Sequence, residues 1–134
     1  MLDGIDPLLT GELLWRLDGM GHGDGIALVD AHFPQPRDGQ PLLVFPGVDG
    51  PALARAIGSV LPLDPETPPA IMAAPDGPRE VHLELADAAG VSVDEVAFVE
   101  RHAFYDRARA AIAVIRTGER RPYGNLILYK GLVQ

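Results

Sequence analysis

GHGDGIALVDAHFP, residues 21–34, places a short apolar strand between two polar turns. The strand itself, Gly25–Val29, is apolar on both faces, which is typical of a central strand covered on both sides of a sheet. His22 precedes the strand, and Asp30 and His32 follow it. Binding and catalytic groups concentrate in loops that a rigid scaffold holds. We therefore expect the functional residues of this chain at the two ends of this strand.

Helical and extended patterns alternate along the rest of the chain. Strands that alternate with helices indicate a layered α/β domain with a largely parallel sheet. The last connections are short, which suggests some antiparallel pairing at one edge of the sheet. We therefore predict a single three-layer α/β/α domain over residues 1–134 with a mixed sheet. The predicted helices span residues 10–20, 51–60, 78–89 and 104–113, and the further strands span residues 42–45, 70–74, 96–99, 114–115 and 126–128.

The first helix is predicted to begin at Thr10, whose hydroxyl can cap it, and to end at Gly21. Leu13 and Leu17 fall on one face of this helix at helical spacing, and Trp15 lies on the other side. An exposed Trp15 would indicate a surface covered by another subunit. A partly buried core position is the favoured interpretation.

Composition and charge narrow the class of protein. Hydrophobic residues make up 47% of the 134 residues, which is too apolar for a disordered chain. The formal net charge of -8 disfavours nucleic acids and anionic membranes as partners, so a neutral small molecule fits better. There is no cysteine, hence no thiol nucleophile and no thiolate metal site. We expect a cytoplasmic protein, since we find neither a signal-peptide pattern nor an apolar run of roughly 20 residues.

His22 lies between two glycines in a helix-to-strand turn. The glycines leave space for a ligand to approach the imidazole closely. Histidine is also the residue type best suited to give and take protons near neutral pH. The alternative is that the glycines only shape the turn and that His22 is a solvated loop residue. Residue types alone favour this alternative.

Asp30 follows a strand of small and apolar residues, at the carboxyl end where ligands of open α/β sheets gather. Its carboxylate can bind a ligand there, or it can bond its own backbone as turn aspartates do. The pattern leaves both open. His22, Asp30 and His32 could also form a two-histidine, one-carboxylate metal site. The spacing argues against that site, because His22 lies at the far end of the strand, so we expect no metal.

Two further groups of polar residues stand at strand ends. Arg101 follows the fourth strand, and its guanidinium could bind a hydroxyl or a ring oxygen. A salt bridge to Glu100 or Asp106 is the competing interpretation, slightly favoured. Tyr123-Gly124-Asn125 precedes the last strand and combines a donor and acceptor pair with a glycine that permits close backbone approach. The tripeptide alone is a weak signal, because asparagine and glycine are ordinary turn residues.

Six short motifs follow one another along the chain: GHGD at 21–24, DAHFP at 30–34, RxAFYxRA at 101–108, TGER at 117–120, YGNLIL at 123–128 and KG at 130–131. In these motifs the sequence resembles the L-fucose mutarotase and D-ribose pyranase family. GIDPLL at 4–9 and PPAIM at 68–72 fit as well, so the resemblance covers nearly the whole chain. It is closer to the fucose branch, because the ribose branch tends to have GHTD, YAN and a histidine at the position of Arg101.

The resemblance implies a cofactor-free isomerase that interconverts sugar anomers, assembled as a ring-shaped decamer with sites near subunit contacts. It also implies that His22 is the proton donor. The sugar-binding residues that it implies are Asp30, Arg101, Tyr123, Gly124 and Asn125. Two departures from the fucose branch are His102, where an aromatic residue is usual, and Arg121-Pro122 before Tyr123. They bear on which sugar is preferred more than on the reaction.

Three classes of function remain in competition. The first is a mutarotase for L-fucose or a related pyranose, with D-ribose pyranase as its close alternative. The second is a non-catalytic monosaccharide-binding accessory protein of a sugar transport system. The third is a metal-dependent hydrolase or isomerase that uses the histidines.

The length of the first strand bears on how a site could be built. At about 3.3 Å per residue, the ends of Gly25–Val29 lie roughly 16 Å apart, and a monosaccharide is too small to touch both His22 and Asp30 across that gap. Either the chain folds back sharply or His22 comes from an adjacent subunit. We expect the second arrangement, which agrees with the implied ring assembly.

Overall fold

A computed structural model describes residues 1–134 as a six-stranded sheet with four helices. None of these helices is both long enough and apolar enough to cross a bilayer. The strands are β1 Gly25–Val29, β2 Leu42–Phe45, β3 Ala70–Met72, β4 Ala97–Val99, β5 Val114–Thr117 and β6 Leu126–Tyr129. The helices are α1 Gly11–Asp18, α2 Gly50–Gly58, α3 Glu80–Ala88 and α4 Arg101–Ala110, with a 3₁₀ turn at Val93–Glu95.

The sheet is mixed, with the order β2-β5-β1-β6-β3-β4. β1 and β2 run parallel to β5, and β3 runs parallel to β4. β6 is antiparallel to both of its neighbours, β1 and β3, so the other five strands all point the same way. The sheet therefore does contain antiparallel pairing, but the prediction that this pairing lies at one edge is wrong. The antiparallel strand lies inside the sheet, because the chain crosses from β5 past β1 before it enters β6.

Two apolar layers cover the sheet, which confirms the three-layer arrangement. Every residue of β1 is buried, as its two-faced apolar pattern predicts. Ile26 and Leu28 face the larger layer, which α1, α2 and α3 supply, whereas Ala27 and Val29 face the smaller layer beneath α4. β1 is thus a central strand whose ends are rigidly held.

The first helix keeps its predicted start but ends early. The Thr10 hydroxyl accepts a hydrogen bond from the Leu13 amide at 3.2 Å, as a helix cap does. The helix stops at Asp18 and is capped by Gly19, so Gly21 lies in the following turn. Trp15 is 66% exposed, and the prediction of a partly buried core position is wrong. Its ring is covered instead by the Arg16 guanidinium, 4.6 Å from the ring centroid.

The last helix begins three residues before its predicted start at Phe104. The Glu100 carboxylate accepts hydrogen bonds from the His102 and Ala103 amides, at 2.9 and 3.2 Å, and so caps the helix there. The helix ends at Ala110, and Ala111 is already extended. Arg101 therefore stands in the first helical turn, directly beyond the end of β4, rather than in a loop.

Candidate functional site

One edge of the sheet gathers most of the predicted site residues. The carboxyl ends of β1, β3, β4 and β5 meet there, together with the amino end of β6, because β6 alone runs the other way. Asp30 follows β1, Arg101 follows β4, and Asn125 precedes β6. Ligands of open α/β sheets bind at this kind of edge. We refer to it as the polar edge.

Asp30 and Asn125 form a reciprocal pair across the polar edge. The Asp30 amide donates to Oδ1 of Asn125 at 2.8 Å, and Nδ2 of Asn125 donates to Oδ2 of Asp30 at 3.2 Å. Both residues are buried. Nδ2 of Asn125 also lies 3.7 Å from the sulfur of Met72, at the end of β3. The pair therefore links three adjacent strands and fixes the Asp30 carboxylate in one orientation.

The Asp30 carboxylate also bonds the backbone of its own turn, as a turn aspartate does. This bond does not exclude ligand binding, so the two interpretations of Asp30 are compatible. Oδ1 of Asp30 accepts a hydrogen bond from the His32 amide at 2.9 Å. Burial raises the pKa of the Asp30 carboxyl above its ordinary value, while the hydrogen bonds from His32 and Asn125 oppose that rise. A carboxyl held in this way suits close bonding to a neutral hydroxyl group.

Tyr123 and Gly124 form the turn that leads into β6. Tyr123 has φ +63°, a left-handed conformation that is uncommon for a residue with a side chain. Gly124 is tightly enclosed, since a Cβ there would lie 2.9 Å from Cγ of Glu119 and 3.2 Å from Cγ2 of Val81. The glycine is thus required by packing at this position.

Glu119 and Arg121 support the same turn from the side of β5. The buried Glu119 carboxylate accepts hydrogen bonds from Nε of Arg121 at 2.9 Å and from Nη2 at 3.0 Å. Arg121 also forms a salt bridge with Glu84 on α3. The hydrogen bond from Arg121 holds the pKa of Glu119 below its usual range. The Glu119 carbonyl in turn accepts the Ala31 amide at 2.9 Å. This network connects the Asp30 turn to the Tyr123 turn.

Arg101 is exposed at the start of α4 and forms no salt bridge. The expected salt bridge to Glu100 or Asp106 is wrong, because Glu100 caps the helix and Asp106 pairs with Arg109. Nε of Arg101 instead donates to the Tyr105 hydroxyl at 2.8 Å, a bond that raises the pKa of Arg101. Its outer guanidinium nitrogens carry no hydrogen bond within the chain, so they can bind a ligand.

An aromatic group flanks Arg101, and sequence reasoning did not single it out. The ring of Phe33 packs edge-on against Tyr105 at 5.3 Å and against Phe104 at 6.1 Å. The ring of His102 lies 6.0 Å from Tyr105. Phe33 belongs to the DAHFP motif and Tyr105 to the RxAFYxRA motif, so the aromatic residues of these two motifs could have indicated this group. These rings offer an apolar wall beside the polar groups.

His22 is not part of the polar edge. It precedes β1 and therefore lies at the opposite end of that strand from Asp30. Its side chain is 52% exposed, and its Nε2 lies 3.6 Å from Oδ2 of Asp64, whose side chain is 8% exposed. His22 is thus exposed, as the solvated-loop interpretation predicts, but it also has a carboxylate partner in Asp64.

Asp64 was missed by the sequence analysis. Its oxygens accept the Glu66 amide and the Thr67 hydroxyl, each at 3.0 Å, which leaves Oδ2 also facing His22. These hydrogen bonds, led by that of the Glu66 amide, keep the pKa of Asp64 low and its carboxylate ionised. A lone aspartate in a proline-rich link carries no signal of this role, since only the fold places it beside His22.

The metal-site hypothesis fails on geometry within one chain. His22 and Asp30 lie beyond opposite ends of the five-residue β1, which is itself roughly 16 Å long at about 3.3 Å per residue. Metal ligands must lie within about 2.5 Å of a common ion. No three histidine, aspartate or glutamate side chains are grouped in that way.

Taken together, the mixed sheet and its polar edge define a class of α/β proteins that present polar side chains beyond the strand ends. Within that class, the chain belongs to the RbsD / FucU transport protein family, whose sequence profile matches residues 3–133.

Individual relatives agree with this assignment. The chain is 39% identical to an L-fucose mutarotase from Actinobacillus pleuropneumoniae, over 98% of this chain and 97% of that protein. Its fold is similar to the crystal structure of the fucose mutarotase from Streptococcus pneumoniae in complex with L-fucose, with a TM-score of 0.86 and 31% identity over 99% of this chain and 100% of that one. It is also similar to Bacillus subtilis RbsD complexed with D-ribose, with a TM-score of 0.79 and 26% identity over the full length of both chains.

Proposed function

We propose that this protein is a mutarotase that interconverts the α and β anomers of L-fucose or a closely related pyranose. The observation that carries the proposal is the reciprocal pair of Asp30 and Asn125, with Tyr123 and Arg101 at the same edge of the sheet. Donors and acceptors of this kind match the alternating hydroxyl groups of a sugar ring. The relative that resembles the chain at 39% identity is itself an L-fucose mutarotase.

The reaction requires proton transfer at two oxygens of the sugar. The hydroxyl on C1 gives up a proton while the ring oxygen receives one, the C1–O5 bond breaks, and an open aldehyde forms. Rotation about the C1–C2 bond exposes the other face of the aldehyde, and ring closure reverses both proton transfers. No net proton is consumed, so a group that can act as base and acid in turn is sufficient.

In this proposal His22 is the acid-base group, and Asp64 orients it. The Asp64 carboxylate lies 3.6 Å from Nε2 of His22, a distance that a small rotation of the ring converts into a hydrogen bond. Such a bond would determine which nitrogen of His22 faces the sugar. The sugar itself would be held by the polar edge through Asp30, Arg101, Tyr123, Gly124 and Asn125.

Because His22 and the polar edge lie at opposite ends of β1, a complete site needs two copies of the chain. We propose that His22 of one subunit faces the polar edge of its neighbour. The exposed Trp15, on the helix that leads to His22, supplies apolar surface for that contact. A closed ring, with ten subunits as the expected number, would give every polar edge a histidine.

Anomer exchange measured by saturation-transfer NMR tests the function directly. L-fucose, D-ribose and D-galactose are compared at equal concentration, with the uncatalysed exchange rate of each sugar as the reference. We expect faster exchange for fucose. Acceleration of the ribopyranose-to-ribofuranose step alone would instead establish a pyranase. Binding without acceleration of any sugar would establish a non-catalytic sugar-binding protein.

Two further parts of the proposal are tested in the same assay and in cells. Exchange is expected to persist after treatment with a chelator and in the absence of any added cofactor. A cytoplasmic location is expected as well, and fractionation of cells that express the protein would check it.

A further inference from the structure

His82 is a buried histidine that lies next to the proposed site. It belongs to α3 and has 0% exposure. Its Nδ1 accepts a hydrogen bond from the Arg79 amide at 3.0 Å, and its Nε2 lies 3.0 Å from the carbonyl oxygen of Tyr123. The Phe98 ring contacts it edge-on at 5.5 Å. Both ring nitrogens therefore have a fixed partner, one of which is the turn that leads to Asn125.

The two contacts determine the protonation state of His82. A backbone amide can only donate, so Nδ1 must carry a lone pair, and the proton of the neutral ring resides on Nε2. That proton points at a carbonyl oxygen, which can only accept. Burial lowers the pKa of His82, which keeps the ring neutral. The contact to Tyr123 is thus a directed hydrogen bond from Nε2.

Tyr123 needs such support because its backbone is left-handed, with φ +63°. Residues with a side chain keep this conformation only where their surroundings impose it. His82 holds the carbonyl, and the Arg79 guanidinium covers the ring at 4.9 Å from its centroid. Arg79 is itself fixed by Asp76 at 3.0 Å. The start of α3 therefore holds both the backbone and the ring of Tyr123.

We propose that His82 is a positioning residue for the sugar site, which holds Tyr123 in its left-handed conformation through the Nε2 hydrogen bond and so aims the phenol at the sugar. The proposal rests on the proposed function, since it names the residue that shapes the same site. His82 itself does not touch the sugar, because it is wholly enclosed.

Two substitutions separate the two nitrogens of His82. In His82→Gln the side-chain amide reaches the place of Nε2 and can still donate to Tyr123, whereas the Arg79 amide loses its acceptor. In His82→Asn the shorter side chain can accept from Arg79 but cannot reach Tyr123. We expect KM for fucose to rise about tenfold in His82→Asn, as for one lost hydrogen bond, and at most about threefold in His82→Gln. Equal KM values for the two folded variants would overturn the proposal.

Tyr123→Phe provides a second readout, because it removes the phenol that His82 is proposed to aim. In that background His82→Asn should raise KM by no more than about twofold, since coupled residues do not act additively. A full tenfold effect in Tyr123→Phe would show that His82 acts by another route.

Measurements on the wild-type protein separate this proposal from the proposed function. Nitrogen-15 NMR of the histidine rings should show His82 neutral at pH 7 with its proton on Nε2, and the Cα and Cβ shifts of Tyr123 should report a left-handed residue. A proton on Nδ1 would overturn the His82 proposal even if fucose anomers are exchanged. If these shifts are found but no anomer exchange occurs, the proposed function is wrong, and Tyr123 then has no sugar to bind even though His82 holds its backbone.

Discussion

Asp30 and Asn125 bind each other through two hydrogen bonds although 95 residues separate them in sequence. One bond satisfies the Asp30 backbone amide, and the other restrains its carboxylate. Because β1 and β6 are antiparallel neighbours with Leu28 opposite Leu126, the residues just after β1 lie beside the residues just before β6. The pair is therefore both a structural tie across the sheet and the centre of the proposed sugar site.

Asn125→Ala should lower the free energy of unfolding by about 2 kcal/mol, because it leaves a buried amide and a buried carboxylate without their partner. Urea denaturation measures this change. Gln35→Ala is the control, since Gln35 is an exposed side-chain amide, and it should alter stability by less than about 0.5 kcal/mol. Equal stabilities of the two variants would show that the Asp30–Asn125 pair contributes nothing to the fold.

His22→Ala should abolish catalysed anomer exchange and change the free energy of unfolding by less than about 0.5 kcal/mol, since the side chain is half exposed. Saturation-transfer NMR and urea denaturation give the two readings. Near-wild-type exchange in the folded variant would remove His22 from the mechanism.

Asp64→Asn should lower kcat with little effect on KM, and Glu66→Gln, which alters an exposed carboxylate two residues away, is its matched control.

Arg101→Ala should weaken fucose binding about tenfold or more, as expected for the loss of charged hydrogen bonds. Its effect on stability should be small, because the residue is exposed and its only bond within the chain is to Tyr105. Titration by NMR measures the affinity. Arg109→Ala on the same helix removes an exposed arginine with its own ion pair, and fucose affinity should not respond to it. A fall in melting temperature with unchanged affinity would assign Arg101 a structural role.

Mixing two inactive variants tests whether sites are shared between subunits. His22→Ala and Asp30→Ala are dissociated together and reassembled, so that some interfaces pair an intact His22 with an intact Asp30. Partial recovery of anomer exchange is expected. If native mass spectrometry confirms mixed oligomers and no activity returns, each site must lie within one chain.

Stability should fall as the pH is lowered through the range of histidine titration. Burial lowers the pKa of His82 below its ordinary value of 6.5, so below that pH the unfolded chain takes up a proton that the folded chain does not. The resulting loss of unfolding free energy is at most about 1.4 kcal/mol per pH unit. The midpoint of urea denaturation, followed from pH 8 to 5.5, measures it.

His82→Gln serves as the control for this pH dependence, because it removes the titrating ring. Its stability should change less over the same range. The carboxyls whose pKa values are lowered, among them Asp64 and Glu119, affect stability only at lower pH, below about their ordinary values of 3.8 and 4.5. A wild-type slope no steeper than that of His82→Gln would show that His82 does not titrate with folding.

Local sequence patterns located their elements well. β1 was predicted with its observed bounds, because a short run that is apolar on both faces is typical of a central strand in a domain of this size. The start of α4 was predicted three residues late, since the cap comes from the side chain of Glu100 and leaves no mark on the apolar spacing. Trp15 was wrongly expected to be partly buried, because its neighbours in sequence do not determine what covers it.

The sequence by itself determined which residues are candidates for the site: a glycine-flanked histidine, a carboxylate after a buried strand, and a tyrosine, glycine and asparagine before another. Only the tertiary structure decided which of them meet. Asn125 reaches Asp30 and Asp64 reaches His22 because strand order and direction bring distant segments together. Spacing along the chain reports only on local periodicity, whereas strand order follows from how the whole core packs. His22 and Asp30, by contrast, already stand at opposite ends of one strand in the sequence, which is why a second subunit enters the proposed site.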